Sequence, residues 1–331
     1  MNGICLRLAV SAVVLLASGH AYALAYTFTN IDVPGATSTR ALGINDTGQV
    51  VGRFNDATGT HGYVLSGGLF TTLNVPGARG TAASGINSRG DVVGQTFDAS
   101  GLTRAFLYRA GVFTLFDAPG SAGSTFGSVA YGINDAGQIS GAFSDAADTN
   151  FAFLDDGGTF VTLEPPGSSF TDGGGIDESG AVVGYYFDAT RFRGFRYAAG
   201  AYTALDAPGA NVDTFLLGLN DRGDFVGSFN DALGVSHAFI ENADVWRTID
   251  IPGAVDSPEI DDINNHGTIV GLFVGADRRI HGFLGLQVPE PPSMALLGIG
   301  LLALGARRRT VDRRGHPASG RGPVARAPGG G

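Results

Sequence analysis

Six aspartates, Asp56, Asp98, Asp145, Asp188, Asp231 and Asp277, recur along the chain at intervals of 42 to 47 residues. Carboxylates gathered on one face attract divalent cations, and calcium is the cation that suits oxygen ligands. None of the six segments has the ligand spacing of a dedicated calcium loop, and Asp also closes tight turns through its own side chain. Turn chemistry is the expectation here, with a calcium site as the alternative and no other cofactor implied. A second repeated position carries His61, Arg104, Arg193, His237 and His281. Three histidines on three units could converge on a metal, but the arginines at the same position would repel it, so a structural role at a strand start is expected. No nucleophile stands at a readable spacing from a base. The non-repeated polar residues, where catalysis would have to sit, form no recognisable set, so the chain reads as non-enzymatic.

The elements that hold these residues repeat with them. A Pro-Gly pair begins at Pro34, Pro76, Pro119, Pro166, Pro208 and Pro252, again 42 to 47 residues apart. Each is followed by a Gly-Ile-Asn-like step: Gly43-Ile44-Asn45, Gly85-Ile86-Asn87, Gly132-Ile133-Asn134, Gly175-Ile176-Asp177, Gly218-Leu219-Asn220 and Asp262-Ile263-Asn264. Within the second unit, four short runs predict strands: Thr81–Asn87, Asp91–Phe97, Thr103–Tyr108 and Val112–Phe116. They are separated by Ser88-Arg89-Gly90, Asp98–Gly101 and Arg109–Gly111. β-Branched and aromatic residues suit the strands, and Gly suits the turns that need positive φ. The asparagines read as turn and strand-end hydrogen-bonders. A period of about 40–45 residues with four strands each is that of a propeller blade. The fold expected is all-β, a six-bladed β-propeller of four-stranded antiparallel blades over residues 26–287. Tyr26–Val33 matches a fourth strand that the sixth unit lacks, so it is expected to close the ring beside His281–Leu286.

In such a propeller the six aspartate loops share a face with the Pro-Gly loops. Lysine is absent, and all 21 basic residues are arginine; the formal net charge is −10. Between residues 26 and 287 acids outnumber arginines by more than two to one, which excludes nucleic acid as a partner. Residues 1–25 have the form of a signal peptide: Arg7, an apolar stretch from Leu8 to Ala17, and small residues around Ala23 and Ala25 for signal peptidase. Cys5 is the only cysteine and would leave with it, so the mature chain must rely on its core rather than on disulfides.

At the other end, Pro289-Glu290-Pro291 is followed by the apolar run Met294–Ala306 and then Arg307-Arg308-Arg309. This order closely resembles the PEP-CTERM sorting signal of Gram-negative bacteria, over residues 288–309. The resemblance implies recognition by a membrane-embedded exosortase, cleavage near Pro289-Glu290-Pro291, and release or transfer to the cell surface after transient attachment through a short sorting helix. Residues 310–331 continue past the arginines, unlike the usual family pattern, and have too few apolar residues to fold. The third-strand starts, with a literal His237-Ala238-Phe239, resemble the bacterial extracellular HAF repeat, which implies an exported repeat protein and no established chemistry. The expected role is binding of an extracellular polysaccharide or a surface protein. A glycan-active hydrolase or lyase and a purely structural surface protein are the alternatives; an acid–base cluster in the central cleft would favour the enzyme.

Overall fold

A computed structural model describes residues 25–208 and 213–288, all strand and turn, with no helix among them. The 24 strands, β1 to β24 in chain order, run from β1 (Tyr26–Ile31) to β24 (Ile280–Gln287). The expected signal peptide, sorting signal and tail lie outside the described residues, apart from Ala25 and Val288. A compact unit ends at Gln287. The structure is an all-β propeller.

The second repeat shows why the strands form. Its strands are β6 (Gly80–Ile86), β7 (Val92–Phe97), β8 (Thr103–Arg109) and β9 (Val112–Phe116), paired antiparallel in that order. Val92 and Val93 are both buried, because each sheet packs against a neighbour on both faces. The glycine in the second strand of each repeat faces an aromatic residue of the third: Gly52 pairs with Tyr63, Gly94 with Phe106, Gly141 with Phe153 and Gly184 with Phe195. A Cβ on Gly94 would lie 2.9 Å from the Phe106 ring and one on Gly141 2.6 Å from that of Phe153, so the glycine makes the space the ring fills. Tyr63, Phe106, Phe153, Phe195, Phe239 and Phe283 are at most 1% exposed. Each contributes roughly 1.5–3 kcal/mol of burial. The five Pro-Gly loops among the described residues are type II turns: Ala78 N–H donates to the Val75 carbonyl at 3.1 Å, for example, and Gly77 takes the positive φ (80°) that position requires.

The core is divided among the interfaces between successive repeats. Val93 of the second repeat packs with Ile133, Ile139 and Phe153 of the third; Val270 of the sixth packs with Ile31, Ile44 and Tyr63. The innermost strand of each repeat neighbours the next around an axis: β2 (Ser38–Ile44), β6, β10 (Ser128–Ile133), β14 (Phe170–Ile176), β18 (Thr214–Leu219) and β22 (Asp256–Ile263), which returns to β2. β1 pairs antiparallel with β24 from Tyr26–Gln287 to Ile31–Gly282 and forms the outer edge of the last sheet, as the complementary ends predict.

The expectation of six separate blades needs correction. Four sheets are free-standing four-stranded blades, and the remaining eight strands, β2 to β9, form one sheet. A single parallel bridge between Thr60 and Gly80 joins the first two repeats. Gly80 has no side chain to hold the Thr60 backbone away; a Cβ there would sit 3.3 Å from the Thr60 Cβ.

Around the axis the repeats are stitched by their asparagines. Asn45 Nδ2 donates to the Asn87 carbonyl, Asn87 to Asn134, Asn134 to Asp177, Asn220 to Asn264, and Asn264 back to Asn45, at 2.9–3.1 Å. Each Asn Oδ1 also accepts N–H groups of its own turn, as Asn87 does from Arg89 and Asp91. The link from the fourth to the fifth repeat is the missing one. Asp177 stands there, and its side chain has no amide N–H to donate. Asp177→Asn is therefore expected to complete the relay and to raise stability by about 1 kcal/mol. That is roughly 2–4 °C in Tm for a domain of this size. Asn87→Ala, which strips a buried link and a turn cap together, should lower Tm by more than that gain. Thermal melting of the two variants checks both directions.

Candidate functional site

The inner strands surround a cavity of about 290 Å³ on the axis. Its rim is formed by the turns that follow the inner strands, where Asp46, Ser88, Glu178, Asp221 and Asn265 line it. These turns are tied head to tail. Ser88 N–H donates to Asp135, Asp135 N–H to Glu178, Glu178 N–H to Asp221, Asp221 N–H to Asn265 and Asn265 N–H to Asp46, at 2.7–2.9 Å. Below the rim lies an apolar waist of Ile44, Ile86, Ile133, Ile176, Leu219 and Ile263, one from each repeat.

The floor departs from the repeat. Five inner strands carry a register shift that skips one residue, at Leu42, Ser84, Tyr131, Leu217 and Asp261; in β14 the shift spans Gly174 and Gly175. A bulge re-aims the extra residue, and all seven line the cavity. One step further along, each inner strand pairs with its second strand through Arg40–Arg53, Ala82–Gln95, Val129–Ala142, Asp172–Tyr185, Phe215–Ser228 and Glu259–Leu272. β14 is three steps from β2 in either direction round the ring, so the arginine pair and the Asp172–Tyr185 pair stand on opposite sides of the axis. Arg53, Gln95, Tyr131, Asp172, Tyr185 and Asp261 face the cavity.

Charge is held there under tension. Asp172 is 9% exposed; its Oδ2 accepts from Tyr185 Oη at 2.8 Å and Tyr131 Oη at 3.5 Å, while its Oδ1 has no partner. Burial pushes its carboxyl up to about 6, against the two tyrosine bonds. The Asp261 carboxyl is driven well above the usual range by burial and by Glu259 beside it, and its Oδ2 is unpartnered too. Burial likewise raises Tyr185 and Tyr131, with Asp172 adding to both. Asp262 occupies the place where the other repeats have the Gly of Gly-Ile-Asn. Its Oδ2 accepts the Ile44 N–H at 2.9 Å across the junction between the last and first repeats, its Oδ1 accepts the Ile263 N–H, and burial pushes it up to about 7.

The residues singled out in the sequence lie elsewhere. Asp56, Asp98, Asp145, Asp188, Asp231 and Asp277 each sit in their own turn. Asp98 Oδ1 accepts from Ser100 N, Ser100 Oγ and Leu102 N, and Asp145 Oδ1 from Ala147 N and Thr149 N. Asp56 and Asp188 bind the following threonines in the same way, and Asp231 and Asp277 add His237 and His281. Among the described residues, no three of the chain's acids and histidines come together in a metal-binding group. His61 meets Asp56 and Asn74, Arg104 meets Asp117, and Arg193 meets Asp206, each within its own repeat; His281 also reaches Asp32 on the incoming first strand. The expectation that non-repeated polar residues form no set is corrected by the floor. Its signal was readable as the breaks in the repeat: Arg53, Gln95 and Tyr185 directly after the second-strand glycine, and Asp261-Asp262 in place of an uncharged residue and Gly.

Pro289, Glu290, Pro291, Arg307, Arg308 and Arg309 lie outside the described residues, but their family is matched over residues 287–309. The chain carries a PEP-CTERM protein-sorting motif. The motif supports export to the cell surface or beyond, and exosortase as the processing partner. No curated protein matches the sequence. Among solved structures, the putative TolB of Agrobacterium tumefaciens is similar in fold at 12% identity and a TM-score of 0.51, over 76% of this chain and 91% of that chain. The six-bladed β-propeller lectin of Aleuria aurantia (10% identity, TM-score 0.49, 75% and 91% covered) and a gluconolactonase of Xanthomonas campestris (11%, 0.45, 76% and 89%) are also similar.

The raised carboxyls set a pH dependence. Asp172 and Asp262 hold their protons more tightly folded than unfolded. Their contribution to stability is therefore full below about pH 4 and is lost as pH rises through their folded values of about 6 and about 7. His281, whose pairing with Asp277 and Asp32 outweighs burial, is raised and acts in the same direction. Tm should fall between pH 5 and pH 8, and Asp262→Asn should flatten the fall. Calorimetry across that range checks both; an unchanged slope in the variant would place the titration elsewhere.

Proposed function

We propose that this is an exported, exosortase-processed bacterial surface or matrix protein built from HAF-type repeats. The eight-stranded sheet counts as two repeat units, so that six blades surround an axial pit that binds a sugar residue of an extracellular polysaccharide. The observation that carries the reading is the floor. Five of its side chains, Arg53, Gln95, Tyr131, Asp172 and Asp261, are polar, break an otherwise regular repeat and face one cavity, and two carboxylate oxygens there lack partners. A regular repeat needs none of them, and an unpartnered buried acceptor costs about 1–3 kcal/mol, which a ligand hydroxyl would recover. The volume, near the lower end of small-molecule sites at roughly 300 Å³, suits a single ring or a chain end rather than a long stretch of polymer. The apolar waist would pack against the ring's C–H faces.

Titration calorimetry with neutral and acidic oligosaccharides tests the reading. Wild-type protein is expected to bind at least one of them, and Asp172→Asn and Tyr185→Phe should each weaken that binding tenfold or more. No binding by any oligosaccharide would reject it.

Asp172, held near neutrality by burial, favours a second reading as a glycan hydrolase or lyase, because such a carboxyl can both give and take a proton. New reducing ends or unsaturated products from the same oligosaccharides would establish it; their absence leaves binding. The sorting reading has its own check in the intact mass of the exported protein, expected to lack Met294–Arg309.

A further inference from the structure

Opposite walls of the cavity floor carry opposite chemistry. On the side of the first repeat stands Arg53, with Arg40 paired to it across β2 and the second strand of that repeat, Val50–Asn55. The Arg53 guanidinium faces the cavity and makes no hydrogen bond or ion pair with any described residue. That is unusual for a side chain with five donors held away from bulk water. By contrast, Arg193 and Arg191 pair with Asp206, and Arg104 with Asp117. The wall across the axis and beside Arg53 holds Asp172 and Asp261, each with an unpartnered oxygen, and Tyr131 with its hydroxyl.

We propose that the pit selects a sugar that carries an oxyanion, a uronate carboxylate or a sulfate ester, with the oxyanion on Arg53 and ring hydroxyls on Asp172 and Asp261. The proposal rests on the saccharide-binding reading and names its ligand class. Arg53 supplies the planar fork that takes such an oxyanion through two parallel N–H···O bonds. The acids beside it do not cancel this. Burial holds Asp172 and Asp261 toward their neutral forms, in which they donate as well as accept. Burial and the neighbouring Arg40 pull the Arg53 guanidinium below its ordinary value, with Asp261 and Tyr131 opposing the shift only in part. A bound oxyanion removes that penalty, whereas a neutral sugar leaves it in place.

The full chain is titrated with four probes: a galacturonate tetramer, its methyl ester, the neutral galactose tetramer, and a sulfated galactose tetramer. The acidic tetramer should bind at least tenfold tighter than the ester and the neutral tetramer, and Arg53→Gln should abolish that preference. The ester comparison needs no variant, so it decides the matter even if Arg53→Gln fails to fold. Tight binding of the sulfated tetramer alone assigns the oxyanion to a sulfate ester, and tight binding of both acidic probes to either source; both support the proposal. Equal affinity for acidic, esterified and neutral tetramers overturns the oxyanion preference and leaves the saccharide reading standing. No binding by any of the four overturns both.

Discussion

Six inner strands meet at one axis so closely that backbone touches backbone, and the rest of the molecule follows from that approach. A Cβ on Gly43 would lie 2.5 Å from the Ser84 carbonyl oxygen, and one on Gly85 2.4 Å from that of Tyr131. Only glycine fits between neighbouring strands there. With the strands drawn in, an asparagine in five of the six repeats can reach the next repeat's carbonyl, and the skipped residues have nowhere to point but the axis. The one departure is at the seam, where Asp262 replaces the glycine and takes the Ile44 N–H. The joint between the last and first repeats is thereby held by a carboxyl as well as by the asparagine link from Asn264 to Asn45.

What the sequence disclosed and what it hid divide along the same line. The period, the turn glycines and the second-strand glycines are repeated, and their physical demands are local: a positive φ, or room for a ring such as Phe106. They could be read without coordinates. So could the pairing of the first strand with the last, because each end lacked what the other supplied. The merger of the first two repeats could not, since it depends on one backbone bridge at Thr60 and Gly80 with no compositional mark. The floor was hidden for a different reason. Arg53, Asp172 and Asp261 lie more than a hundred residues apart in part, and only the bulge in each inner strand turns Tyr131 and Asp261 inward. Alternation alone would assign those residues to the wrong face.

The aspartates of the outer loops and those of the axis show how burial decides what a carboxylate does. Asp98 lies in solvent, accepts its own turn's donors and is held below the usual carboxylate range, chiefly by the Ser100 hydroxyl. It is a local brace. Asp172 and Asp261 have the same side chain, yet the cavity leaves each with an oxygen unmatched and pushes both the opposite way.

Closure by β1 and β24 also imposes an order of events. The first strand in the chain has as its partner the last, since Tyr26 pairs with Gln287. Five repeats can stack before the last strand is in place, but the final sheet stays incomplete until nearly the whole folded region is available. The sorting motif begins at residue 287, where that last strand ends. The last strand and the sorting motif therefore follow one another directly in the chain, and a chain truncated anywhere before β24 would present an unclosed edge.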